Sequence, residues 1–144
     1  MRRRSKDAKL ELLRGVTLFS PCSKRELSRI ASLTDEIDVP KGRVLTRQGD
    51  PGREFFVVVE GRARVTTGGR TRIAVLGPGA SFGEMSLLDQ GPRSATVLAE
   101  TDMRLLVLNS RSFSSLLEEV PSVARKVLVA MAGRLRVAEK EATH

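Results

Sequence analysis

The sequence has few of the residues that disulfides, metal sites and aromatic cores require. Its 144 residues include one cysteine, Cys22, one histidine, His144, five phenylalanines, and neither tryptophan nor tyrosine. A single cysteine excludes an internal disulfide and is typical of a reducing compartment. Since aromatic residues are scarce, aliphatic side chains must form the core. With 40% hydrophobic residues, the chain is long enough to fold as one domain around such a core.

Long apolar segments of the membrane-spanning kind are also absent. Apolar runs such as residues 55–59 and 105–108 are far shorter than the roughly 20 residues of a transmembrane helix. The first residues are basic, as in a signal peptide, but charged residues such as Lys9 and Glu11 follow where a signal peptide is apolar. We therefore predict a cytoplasmic protein without a membrane span, in which residues 1–5 form a disordered basic tail.

The chain carries an excess of positive charge, +8 at pH 7, with a pI near 10.7. Such a charge favours contact with nucleic acid, anionic lipid or an acidic partner. The basic residues are spread along the chain, however, and neither a DNA-reading helix motif nor base-stacking aromatic residues accompany them. We expect no specific nucleic-acid binding.

Helical patterns occupy both ends of the chain. Residues 6–33 predict two helices, the first over 6–14 and the second ending at Leu33. Residues 110–144 predict two more, and a proline suited to the first turn of a helix begins the last one, over 121–142.

Residues 34–109, between these helical segments, contain short extended stretches separated by glycine-rich turns. This pattern is typical of an all-β barrel or sandwich. Strands so short need a rolled sheet to avoid open edges. The strands that we predict are residues 35–39, 43–47, 54–60, 62–67, 71–76, 94–99 and 103–108.

The last predicted helix carries an apolar stripe whose packing partner the sequence leaves open. The stripe either packs on the β region or pairs with the same helix of a second copy. In the second case residues 121–142 form a homodimer interface. The members of the stripe are Leu128, Met131, Leu135, Ala138 and Ala142.

Residues 82–97, here called the cassette, interrupt the strand series with a short non-extended insertion. Leu87 and Leu88 can anchor one helical turn whose amino end, near Ser86, presents free N–H groups to an anion. Arg93 begins an apolar strand, which would hold its guanidinium near the sheet. A guanidinium held in this way can bind two phosphate oxygens.

Two further polar residues complete a candidate site in the cassette. Glu84 only accepts hydrogen bonds when it is ionised, which suits a ribose hydroxyl, and Ser94 adds a hydroxyl and an N–H beside Arg93. The alternative is that Glu84 and Arg93 form a salt bridge beneath a tight turn. These two residues by themselves do not decide between a binding site and a salt bridge.

A set of motifs across the chain indicates a family. They are Gly49-Asp50, Phe55-Phe56-Val57-Val58-Val59-Glu60-Gly61, Leu76-Gly77-Pro78-Gly79, Phe82-Gly83-Glu84 and Pro92-Arg93-Ser94-Ala95-Thr96-Val97. With them, the chain from about Leu18 to Leu135 resembles the cyclic-nucleotide-binding domains of the catabolite activator protein, of cAMP-dependent kinase regulatory subunits and of cyclic-nucleotide-gated channels. The resemblance implies a mainly β fold. This would be an eight-stranded jelly roll, or double-stranded β-helix, with N-terminal helices, C-terminal lid helices and a weak strand near Ala80.

The resemblance also implies a ligand and the residues that hold it. It assigns the ribose 2′-hydroxyl to Glu84 and the N–H of Gly83. It assigns the cyclic phosphate to Arg93, the N–H groups of Ser86 and Ser94, and the Ser94 hydroxyl. The implied ligand is cAMP, with cGMP as the alternative because the hydroxyl after the arginine can serve a guanine amino group. No further cofactor and no metal is implied.

The function that the resemblance implies is a sensor whose last helix moves toward the barrel when ligand binds, regulating a protein partner or a fused output domain. No aromatic residue follows Phe113, so the lid over the base is aliphatic or an arginine. A degenerate domain used only for dimerisation is the alternative. We expect no enzyme activity, because a cupin needs clustered histidines to hold its metal and no phosphate loop occurs.

Overall fold

Helices flank a β region in the order that the sequence predicts. The computed structural model describes residues 6–68 and 74–142. The predicted tail, residues 1–5, and the single histidine lie outside these ranges. The helices are α1 (Lys6–Arg14), α2 (Lys24–Ser32), α3 (Ser110–Glu119) and α4 (Pro121–Ala142), with a short 3₁₀ helix, Thr17–Phe19, between α1 and α2.

The β region is a jelly roll of two antiparallel sheets. Its described strands are β1 (Asp35–Val39), β2 (Val44–Thr46), β3 (Glu54–Glu60), β4 (Ala63–Thr66), β5 (Ala74–Leu76), β6 (Ser81–Phe82), β7 (Thr96–Ala99) and β8 (Met103–Asn109). One sheet has the order β1-β8-β3-β6 and the other β2-β7-β4-β5. The predicted fold class is therefore confirmed, including the weak strand near Ala80, which is β6.

One strand begins later than its pattern predicts, and the difference concerns the cassette. We expected a strand over 94–99, but β7 begins at Thr96. The preceding residues bond to the loop 49–52 instead of to a sheet: the Arg93 N–H donates to the Asp50 carbonyl at 2.8 Å. Arg93 is thus fixed by a loop, and it precedes the strand that it was expected to begin.

The two apolar runs at residues 55–59 and 105–108 are central strands that are buried on both faces. In β3, Phe55 and Val57 pack against the helices, whereas Phe56 and Val58 point into the barrel. β8 alternates in the same way. Burial on both faces explains why these runs carry no polar alternation.

The second helix starts with a capping box and is also tied to the last helix. The Ser23 hydroxyl accepts from the Glu26 N–H, and the Glu26 carboxylate accepts from the Ser23 N–H. The same carboxylate accepts hydrogen bonds from Ser122 and Lys126 of α4. Glu26 therefore serves both as a cap and as a link between α2 and the start of α4.

Most of the apolar stripe predicted on the last helix is exposed, and Met131 is the member of it that packs against the buried core. The residues of α4 that are buried are Val123, Val127 and Ala130. Leu128 and Leu135 are 69% and 62% exposed. Of the two alternatives, packing on the barrel is thus wrong for these two leucines. Across residues 6–68 and 74–142, the helices are all too short or too polar to span a membrane.

Candidate functional site

The cassette starts from a strand that is fixed in the core. Phe82 of β6 pairs with Phe56 of β3, and their rings stack with centroids 4.8 Å apart. Gly83 follows with a φ of 85°, a left-handed conformation that side chains disfavour. The chain then turns into one 3₁₀ helix, Glu84–Leu87, which the buried Leu87 anchors. A helical turn is therefore present, but it begins at Glu84 and not near Ser86, where its amino end was expected. Glycine is needed at the residue before it.

Arg93 is held beside this turn without a carboxylate partner. Its Nη1 donates to the Ser86 hydroxyl at 2.9 Å, and its guanidinium carbon lies 6.0 Å from the centre of the Phe56 ring. No carboxylate oxygen of the described residues lies within 4.0 Å of this guanidinium. Burial lowers the pKa of Arg93, an effect that the charge of Glu54 partly offsets. Arginine stays protonated nevertheless, so the site presents a partly desolvated cation.

The backbone of Arg93 is held by the loop that precedes β3. In addition to the bond to Asp50, the Gly49 N–H donates to the Arg93 carbonyl at 2.9 Å. The Gly52 N–H donates to the Gly91 carbonyl at 3.0 Å. The glycine-rich segment 49–52, which the sequence marks as a turn, therefore also positions Arg93.

Glu84 faces the last helix and not Arg93. Its Oε1 accepts from Nη1 of Arg134 on α4 at 3.1 Å, and its side chain is 23% exposed. A salt bridge between Glu84 and Arg93, the alternative that the sequence left open, is absent from the described structure. The two charged residues of the cassette thus have separate surroundings.

Arg134 is a site residue that the sequence reasoning did not name. The sequence allows an arginine lid over the base but does not indicate which arginine provides it. The signal was helical spacing, because Val123, Val127, Ala130 and Arg134 follow one another at intervals of three or four residues. Since the first three are buried against the domain, the fourth also faces it.

The two serines of the candidate site differ from each other in their surroundings. The Ser86 N–H, expected at a phosphate, donates to the Gly83 carbonyl at 3.1 Å. The Ser86 hydroxyl is buried and accepts from Arg93. Ser94 is exposed. Its hydroxyl and N–H have no protein partner among the described residues.

The predicted residues line one cavity of about 650 Å³. Its volume lies within the range of small-molecule sites, roughly 300–1,000 Å³. Arg134 closes it on the side of α4, and apolar residues such as Val65 and Val97 form part of its wall. The five residues predicted from the sequence that line it are Gly83, Glu84, Ser86, Arg93 and Ser94. The charged residues that line the cavity are Arg93, Arg134, Glu84 and Asp89. Together with the apolar wall, they suit a ligand with an anionic group, hydroxyls and a flat apolar part.

Comparison with known sequences agrees with this description. Residues 36–120 match the cyclic nucleotide-binding domain family. The chain is 37% identical over 133 residues to the cyclic AMP receptor protein of Thermus thermophilus, and 41% identical over 114 residues to a cyclic nucleotide-gated potassium channel of Mesorhizobium japonicum. These alignments cover 90% and 79% of this chain but 62% and 31% of the relatives. The chain thus spans less than two thirds of the length of either relative.

Solved structures show the same likeness in three dimensions. The N-terminal domain of a transcriptional regulator from Streptomyces coelicolor superposes with a TM-score of 0.82 at 34% identity, covering 90% of this chain and 95% of that domain. The catabolite activator protein of Thermus thermophilus superposes with a TM-score of 0.70 at 36% identity, covering 89% of this chain and 62% of that protein. The likeness therefore extends over most of this chain.

Proposed function

Because the chain belongs to the cyclic nucleotide-binding domain family, we propose that it binds a 3′,5′-cyclic purine nucleotide in the cavity between the cassette and α4. The preferred ligand in this proposal is cAMP, with cGMP as the alternative. The proposed role is that of a sensor and not of a catalyst. The relatives reported above are named as a receptor, an activator, a transcriptional regulator and a channel.

The observation that carries the proposal is the separation of Arg93 from Glu84. A partly buried guanidinium without a carboxylate partner favours an anion, and a cyclic phosphate supplies one with oxygens placed for the planar donor group. Glu84 lies in the same cavity and can accept a hydrogen bond from a ribose hydroxyl. Phosphate and ribose are adjacent in a cyclic nucleotide, which matches the placement of Arg93 and Glu84 in one cavity.

The proposed route from ligand to output runs through Arg134. Its ion pair with Glu84 joins the cassette to α4, and a carboxylate has acceptor positions for a second donor such as a ribose hydroxyl. A ligand that changes this pair favours one position of α4 over another, which is the thermodynamic requirement for a switch. We propose that the moving helix regulates a protein partner or a fused output domain.

The test of the binding proposal is calorimetric titration of the chain with cAMP and with cGMP. We expect micromolar or tighter binding of at least one of them. Arg93→Ala should weaken it by at least about tenfold, because charge-assisted hydrogen bonds contribute roughly 1.5–3 kcal/mol. Arg47→Ala is the matched control, since it removes the same charge from an exposed position.

Two results would contradict the proposal. The absence of binding by the wild-type chain to both nucleotides would remove the sensor function. Equal affinities of Arg93→Ala and Arg47→Ala would show that the phosphate does not bind at Arg93.

A second candidate function is dimerisation by a domain that does not bind nucleotide. The observation that favours it is the apolar surface of α4, where Leu128, Val129, Leu135 and Val137 are all more than half exposed. Side chains of this size on one helix are typical of a helix that pairs with another. The same titration separates the two functions, because dimerisation alone requires no ligand.

A further inference from the structure

Gly52 lies against Arg93 at a place where no side chain fits. A Cβ atom at Gly52 would lie 2.0 Å from Oγ and 2.8 Å from Cβ of Ser86, and 2.9 Å from Nε of Arg93. A Cβ atom does not pack closer than 3.0 Å to another heavy atom. The missing side chain of Gly52 therefore provides the space in which Arg93 reaches the Ser86 hydroxyl.

The loop that contains Gly52 cannot easily move away from Arg93. The bonds from Gly52 to Gly91 and from Arg93 to Asp50 hold the two segments together, and Pro51 forms a β-bridge with Pro92. An added methyl group at position 52 would therefore be accommodated by the side chains of Ser86 and Arg93 and not by the loop.

Gly83 is a second glycine that lies against the guanidinium of Arg93. A Cβ atom at Gly83 would lie 2.5 Å from Nη1 of Arg93 and 2.9 Å from the Glu54 carbonyl oxygen. Alanine at Gly83 would also strain the backbone, because its φ is positive. The φ of Gly52 is not positive, so alanine there acts through contacts alone. Of the two glycines, Gly52 is the one whose effect on Arg93 can be measured separately.

We propose that Gly52 is a positioning residue for the anion site, one that sets the affinity for the cyclic phosphate by fixing the guanidinium of Arg93 against Ser86. The proposal rests on the proposed function. The proposal adds to the binding site a residue outside the cassette, on the loop before β3. It also gives the buried Ser86 hydroxyl a part in holding Arg93.

The experiment compares cAMP affinity, measured by calorimetry, across a graded series of variants. Gly52→Ala should bind at least about tenfold more weakly than wild type, because displacing the guanidinium loses a charge-assisted contact. The double variant Gly52→Ala with Ser86→Ala removes only the contact with Oγ of Ser86, and it should regain part of the affinity. Ser86→Gly added instead removes the Cβ contact as well and should restore more. In that double variant, affinity should return to within about threefold of Ser86→Gly alone.

Gly77→Ala is the matched control, because its added Cβ would meet no atom within 4 Å and its φ is not positive. We expect its affinity and its melting temperature to equal those of wild type. Melting curves of the ligand-free variants show whether Gly52→Ala remains folded. Only a steric effect on Arg93 and Ser86 predicts the graded restoration, which a general loss of stability would not produce.

The outcomes separate this inference from the proposed function. No binding by wild type overturns the function itself and this inference with it. Wild-type binding together with unchanged affinity of Gly52→Ala overturns the positioning role alone. A weakened Gly52→Ala that neither Ser86 substitution restores also overturns it, because the loss would then not pass through the contact with Ser86.

Discussion

Replacing Glu26 with glutamine tests how α4 is attached to the N-terminal helices. Glu26 is buried on α2, and its carboxylate accepts from Lys126 and Ser122 of α4 and from the N–H of Ser23. Burial opposes ionisation of Glu26, but the hydrogen bonds from Lys126, Ser122 and Ser23 outweigh it and lower its pKa from 4.5 to about 2. The network therefore stabilises the folded chain when Glu26 is ionised.

The size of the effect follows from this pKa. A pKa lowered from 4.5 to about 2 corresponds to at most about 3–4 kcal/mol. The Lys126 side chain is 34% exposed, so solvent screens part of the attraction. We expect Glu26→Gln to lower the free energy of unfolding at neutral pH by about 1–2 kcal/mol, which lowers the melting temperature by about 3–7 °C.

The same pKa predicts how the difference in stability between wild type and Glu26→Gln depends on pH. The folded pKa lies below the unfolded value, so the stabilisation is complete above pH 4.5 and is lost as the pH falls from 4.5 toward 2. Melting followed by circular dichroism should therefore show a wild-type advantage over Glu26→Gln that shrinks on acidification. Glu119→Gln is the control, because its pair with Arg29 is exposed and should contribute under about 1 kcal/mol. Equal melting temperatures of Glu26→Gln and Glu119→Gln at neutral pH would refute the reasoning. So would a difference in melting temperature between wild type and Glu26→Gln that stays the same on acidification.

The remaining predictions concern α4. Arg134→Gln should leave ligand binding measurable, but it should remove the ligand-dependent change in hydrogen exchange over residues 121–142, since it breaks the ion pair with Glu84. A change in hydrogen exchange equal to that of wild type would show that the ligand acts on α4 through other residues. Leu128→Gln with Leu135→Gln should change the stability of the single chain by less than about 1 kcal/mol, because both side chains are exposed. Sedimentation velocity should show that this pair of substitutions weakens self-association, and a wild type that stays monomeric at high concentration would rule out the dimer.

The sequence predicts the β region well because its signals there are local. Several strands end at glycine turns, as β3 does before Gly61 and β5 before Gly77. The runs at 55–59 and 105–108 are apolar since both of their faces are buried. Two leucines predict a helical turn that begins near Ser86, and the structure has one that begins two residues earlier, at Glu84–Leu87. Each of these features depends on neighbours within a few residues, which a single sequence displays.

The contacts that define the site are not local, and the sequence does not display them. Arg134 pairs with Glu84 across 50 positions, and Lys126 bonds to Glu26 across 100. The sequence leaves the packing side of α4 open for a related reason. Apolar residues occupy more than one face of this helix, so spacing alone could not show whether the face of Val127 or that of Leu128 is buried.

The two attachments of α4 differ in strength, and this difference indicates which part of the helix can move. Lys126 lies eight residues before Arg134, or about 12 Å along a helix. Around Lys126 the helix is also held by buried Val123 and Val127, whereas from residue 132 onward every described residue except Arg134 is exposed. Gly133, a weak helix former, directly precedes Arg134. A ligand that changes the Arg134–Glu84 pair therefore acts on the loosely held half of α4, while Glu26 keeps the first half in place.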